Sequence, residues 1–95
     1  MSRVIHYTKD CQGCFGNLSE KKVQQVCKKY GVTFEEHRTI FWDVWEKEAE
    51  EIMKLNAGLK LPFFYETETG AVLQTNSLTP LETIEKWLKN IKETN

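Results

Sequence analysis

Apolar residues recur along this chain at a spacing that switches between two and three-to-four, and each switch marks the edge of an element. Val4, Ile5 and Tyr7 form a short apolar stretch that stops at Lys9-Asp10, which predicts a first strand over residues 3–8. Val23, Val26, Cys27 and Tyr30 then share one helical face, so a first helix is expected within 15–30, with Asn17 available as a cap and Gly31 as the stop. Residues 32–38 alternate, Val32, Phe34 and Glu36 against Thr33, Glu35 and His37, as a second strand would. Trp42, Trp45, Ala49, Ile52, Met53 and Asn56 line the core-facing side of a second helix that ends before Gly58. Its Glu-rich opposite side reads as solvated, and Phe41 as the exposed aromatic.

The dense run over residues 61–65, the polar Glu66-Thr67-Glu68-Thr69-Gly70 and then Ala71-Val72-Leu73 predict two strands joined by a turn. Thr79-Pro80-Leu81-Glu82 combines a cap, a first-turn proline and a reciprocal glutamate, and Leu81, Ile84, Leu88 and Ile91 continue as the stripe of a third helix. The order is β-α-β-α-β-β-α over a single domain, residues 1–95, with no linker or repeat. The first two strands need a helical crossover and should be parallel. The hairpin completes a four-stranded mixed sheet, and helices on both of its faces bury all three stripes in an α/β fold.

Composition narrows the function. At 95 residues, 40% hydrophobic and 12% aromatic, the chain can bury a core without disulfide staples. A net charge of −1 with mixed signs lacks the basic footprint of a nucleic-acid binder. No apolar run reaches the length of a signal core or membrane span, so a cytoplasmic monomer with no membrane partner is expected. In a reducing compartment, Cys11-Gln12-Gly13-Cys14 is more readily catalytic or metal-binding than structural.

The placement of the pair specifies its chemistry. Cys11 falls just past the first strand, and Cys14 at or inside the first turn of the first helix. Unpaired N–H groups at a helix start stabilise a thiolate, which makes Cys11 the candidate nucleophile. Cys14 then resolves the mixed disulfide. Lys9 would add positive potential nearby and Asp10 would oppose it if its carboxylate points inward, or else both are solvated loop charges. Pro62 stands at the start of a strand, where proline removes a ladder donor: it is either an ordinary trans proline there or, as the dithiol context favours, part of a cis Leu61-Pro62 bond that would present the Leu61 backbone to an extended substrate. Asn76, Ser77 and Thr79 offer donors for a carboxylate, or else serve as caps and turn formers.

With strand, CxxC, helix and a later strand-initiating proline in this order, the whole chain resembles the glutaredoxins of the thioredoxin-like superfamily, a three-layer α/β/α fold. The resemblance implies a thiol-disulfide oxidoreductase in which Cys11 attacks, Cys14 resolves, Pro62 is the cis-proline and Leu61 supplies backbone contacts. Lys9 matches the lysine that many glutaredoxins carry before the dithiol. Asn76 and Ser77 would join Lys9, Leu61 and Pro62 in holding substrate. The partners implied are disulfide-containing proteins, with glutathione or a thioredoxin-type reductase as electron donor and no bound cofactor or metal. Gln12-Gly13 stands where dithiol glutaredoxins carry Pro-Tyr and thioredoxins Gly-Pro, and Leu73-Gln74-Thr75-Asn76-Ser77 has no paired glycines. The donor therefore stays open between the two. Two alternatives also stay open: a non-catalytic binding or redox-sensing module on the same fold, and a metal or iron-sulfur carrier. Cys11, Cys14, Cys27 and His37 provide a loose zinc-like spacing for the second. His6 and His37 read as strand residues rather than acid-base catalysts.

Overall fold

The computed structural model describes residues 2–8, 20–39, 42–76 and 78–94. Seven elements follow in the expected order: β1 (Arg3–Thr8), α1 (Glu20–Lys29), β2 (Thr33–Arg38), α2 (Asp43–Leu55), β3 (Phe63–Glu66), β4 (Val72–Gln74) and α3 (Leu81–Thr94). The strands form one mixed sheet in the order β2-β1-β3-β4. β1 pairs in parallel with β2, Tyr7 opposite His37, and antiparallel with β3, Tyr7 opposite Phe63. β4 is antiparallel to β3. Residues 15–19 of the expected first helix, with the candidate cap Asn17, lie outside the described residues, as does Phe41.

Alternation along the strands divides the core in two. Val4 and Phe64 face α1 and α3, where they pack with Val23, Cys27, Ile84 and Leu88. Ile5, Tyr7 and Phe63 face α2 and meet Ala49 and Ile52. Phe63 and Phe64 are adjacent in sequence, point to opposite faces and are both fully buried, each contributing about 2–3 kcal/mol of apolar transfer free energy.

Local chemistry sets the C-terminal end of α1. Gly31 adopts φ +72°, its N–H donates to Lys28 O at 3.1 Å, and the Val32 N–H donates to Cys27 O at 2.9 Å. That paired closure needs a left-handed residue, which glycine provides without a Cβ penalty, and Val32 and Cys27 then meet in the core.

Two expectations are corrected. Trp42 is 60% exposed instead of core-facing, because it precedes α2 in extended conformation (φ −144°, ψ 125°) and so escapes the helical period that aligns Trp45 with Ala49 and Ile52. The Thr79 hydroxyl does not close a capping box with Glu82. It accepts the Asn76 N–H at 2.9 Å and donates to Asn76 Oδ1 at 3.4 Å, bracing the turn before α3.

Candidate functional site

β1, β2 and β4 all end at the same edge of the sheet, where β3 begins. In α/β sheets the space beyond the carboxyl ends of the strands is where ligands bind. Thr8 closes β1 there, fully buried, and the Thr39 N–H donates to Thr8 O at 2.9 Å to continue β2 alongside it. Since Tyr7 pairs with Phe63, Leu61 and Pro62 arrive beside the end of β1, and the Leu61-Pro62 peptide bond is cis, as expected. Two large apolar side chains at this end are exposed, Trp42 after β2 and Leu78 after β4.

The backbone entering β3 is unevenly satisfied. Lys60 uses both of its groups: its N–H donates to Gln74 Oε1 at 2.8 Å, and its C=O accepts from Gln74 Nε2 at 2.7 Å. The Pro62 carbonyl accepts from the Thr75 N–H (3.3 Å), Thr75 Oγ1 (3.1 Å) and Gln74 Nε2 (3.0 Å). Between them, the Leu61 N–H donates no hydrogen bond and its C=O accepts none among the described residues. The structure thus joins Lys60 and Pro62, on either side of Leu61, to Gln74 and Thr75, two residues that sequence reasoning did not single out. Gln74 reaches Lys60 only through the β3-β4 register, which no spacing along the chain encodes.

Asn76 is exposed, and its Oδ1 is engaged by the Leu78 N–H at 2.7 Å, so its side-chain oxygen serves the turn. Lys9, Asp10, Cys11, Gln12, Gly13, Cys14 and Ser77 lie outside the described residues.

The remaining sulfur and imidazole groups are tied into the two faces. Cys27 is fully buried against α3, and burial pushes its thiol up to about 12, which leaves it protonated and unreactive. His37 sits on the opposite face, stacked on Trp45 at 4.4 Å, so Cys27 and His37 cannot share a metal ion. Among the described residues no group of three His, Cys, Asp or Glu side chains is arranged to hold one. Glu48, expected on the solvated side of its helix, accepts the Tyr7 hydroxyl at 2.9 Å and lies 3.7 Å from His37 Nδ1. Burial, then this bond, raises the Tyr7 phenol far above its usual range. Burial lowers His37, with Glu35 and Glu48 pulling the other way. His6 is fully buried on the α1-α3 face, stacked on Phe64 at 4.3 Å, and burial lowers it to about 3. It is therefore a neutral core ring at ordinary pH, as its strand position implied.

Among the described residues no helix is long and apolar enough to cross a membrane. No protein-family model matches the chain, and no curated protein sequence does, so a functional reading stands on the residues and their geometry.

Proposed function

We propose that this chain is a thiol-disulfide oxidoreductase with a thioredoxin-like fold, resembling the glutaredoxins and working through Cys11 and Cys14. The observation that carries the reading is the pairing of Tyr7 with Phe63. It brings Thr8, from which the chain continues to Lys9 and the dithiol, alongside the segment of Leu61, whose backbone groups take no hydrogen bond among the described residues. The strand order β2-β1-β3-β4, with α1 and α3 on one face and α2 on the other, supports the same reading. So does the inertness of Cys27, which leaves Cys11 and Cys14 as the cysteines for exchange.

In the proposed reaction the Cys11 thiolate attacks one sulfur of a substrate disulfide, forming a mixed disulfide and expelling the first substrate thiolate. The Cys14 thiolate then attacks the Cys11 sulfur and releases the second. The protein dithiol is oxidised to a disulfide, the substrate disulfide is reduced to two thiols, and two protons pass from the protein thiols to the departing sulfurs. Glutathione or a thioredoxin-type reductase returns the two electrons. Protein or glutathione-mixed disulfides are the substrate class, with Leu61 and Pro62 as contacts and Lys9, Asn76 and Ser77 as accessory contacts.

The test supplies oxidised wild-type protein with glutathione or with a thioredoxin reductase and NADPH, and separately gives reduced Cys14→Ser a peptide disulfide. One donor reduces the wild type, and the variant halts as a mixed disulfide visible by mass. Failure of both donors removes the assignment.

A further inference from the structure

Gln74 is an exposed residue on the edge strand, yet among the described residues its carboxamide is the most heavily engaged side-chain amide at the open end of the sheet. Oε1 accepts the Lys60 N–H, and Nε2 contacts the carbonyls of Lys60 (2.7 Å), Pro62 (3.0 Å) and Thr75 (3.2 Å). This clamp ties the segment before β3 to β4 and has a directional consequence. The Lys60-Leu61 peptide is trans, which sets its C=O and N–H on opposite sides. With the Lys60 carbonyl held on Gln74, the Leu61 N–H is turned away from β4, toward the side on which β1 lies and, at this end, stops at Thr8.

We propose that Gln74 is the positioning residue of a polypeptide docking edge: by occupying Lys60 and Pro62 it leaves Leu61 alone to pair with the backbone of an extended, disulfide-bearing peptide. The inference rests on the oxidoreductase reading and adds to it the residue that shapes the substrate contact. Added-strand recognition takes its affinity from main-chain hydrogen bonds, so an edge held in place in advance loses less entropy on pairing. A substrate without amides gains nothing from it.

The discriminating experiment measures second-order rate constants for oxidation of the pre-reduced protein by two disulfides. One is a symmetric dimer of a short cysteine peptide; the other is bis(2-hydroxyethyl) disulfide, which has no amide group. Gln74→Ala lowers the peptide rate about tenfold, the worth of roughly one net hydrogen bond, and changes the small-disulfide rate less than about twofold. Gln74→Met, which keeps the length of the side chain without its amide, gives the same pattern. Equal losses on both disulfides, the signature of a disturbed fold or thiolate, overturn the positioning role. So does no loss on either. A wild-type protein that reduces neither disulfide overturns the oxidoreductase reading, and the proposal with it.

Discussion

The two ends of the sheet solve the same problem, satisfying backbone and side-chain groups where strands stop, in opposite ways. At the end where β1 begins, one buried acceptor gathers many donors. The Glu66 carboxylate takes the Ser2 hydroxyl (2.6 Å), the Glu68 N–H (2.7 Å), and both the N–H (2.9 Å) and hydroxyl (2.6 Å) of Thr69. Around it the Thr33 N–H reaches Ser2 O and the Thr67 N–H reaches Arg3 O, closing the margin of the sheet. At the other end the shared acceptor is a main-chain carbonyl, Pro62 O, with Thr75 and Gln74 as donors, while Leu61 beside it stays unbonded among the described residues. Losing a shared acceptor strands every donor that used it, whereas losing one of several donors leaves the acceptor satisfied. The first end therefore depends on one side chain, and the second shares its load among several donors.

The sharpest way to break this contrast is Glu66→Ala. It removes the acceptor of four hydrogen bonds at a site only 1% exposed, and about 4 kcal/mol of stability should go with it in urea unfolding. Burial alone would raise the Glu66 carboxyl; the bonds from Ser2, Thr69 and Glu68 outweigh it and hold the group below its usual value. In folded variant protein the alkylation rate of Cys11 should match that of the wild type. A changed rate would mean that the two ends are coupled and that the division drawn between them is wrong.

The next effect comes from the strand both ends share. His6 lies mid-β1 with its pKa lowered from 6.5 to about 3, so the unfolded chain binds a proton that the folded chain refuses between those values. Stability is full above pH 6.5 and falls as the pH drops toward 3, by about 2 kcal/mol between pH 7 and 4.5. His37, also lowered by burial, adds a loss of the same sign below pH 6.5, and Glu66 adds its own only below its ordinary range near 4.5. His6→Phe, which keeps a ring against Phe64, should flatten the slope between pH 7 and 4.5. In the wild type, amide exchange should accelerate at both ends together, since β1 pairs with both neighbours. Loosening of one end alone would assign the acid response to another group.

What the sequence revealed about these ends divides by distance along the chain. Gly31 as a stop, the polar turn after Glu66 and the alternation of Phe63 with Phe64 act within a few residues, and period and composition disclose them directly. The four strands were legible for the same reason and their parallel and antiparallel senses from the connections between them, whereas the cis bond before Pro62 was expected only because of the dithiol elsewhere in the chain. Glu48 looked like one more solvated acid until the packing of α2 brought it to Tyr7, 41 residues away. Gln74 needed the β3-β4 register before its amide could meet Lys60. Thr79 carried a genuine cap signature, and Asn76 competed for its hydroxyl and won. Of the candidate site, Leu61 and Pro62 stand where the sequence put them, whereas Lys9, Cys11, Cys14 and Ser77 lie outside the described residues.

The smallest effect tests the redundancy of the open end directly. Thr75→Val deletes the hydroxyl that donates to Pro62 O at 3.1 Å while preserving a branched side chain at a position only 3% exposed. The Pro62 carbonyl keeps the Thr75 N–H and Gln74 Nε2, so no buried acceptor is orphaned, and the methyl that replaces the hydroxyl recovers some apolar burial. The net cost should be below about 1 kcal/mol, a fraction of that for Glu66→Ala, although each change deletes side-chain hydrogen bonds at a sheet end. Urea unfolding of the two variants side by side measures the ratio. A Thr75→Val loss as large as that of Glu66→Ala would show that the hydroxyl has no effective substitute. Bond strength at the Pro62 carbonyl, rather than the number of donors sharing it, would then govern how this end is held.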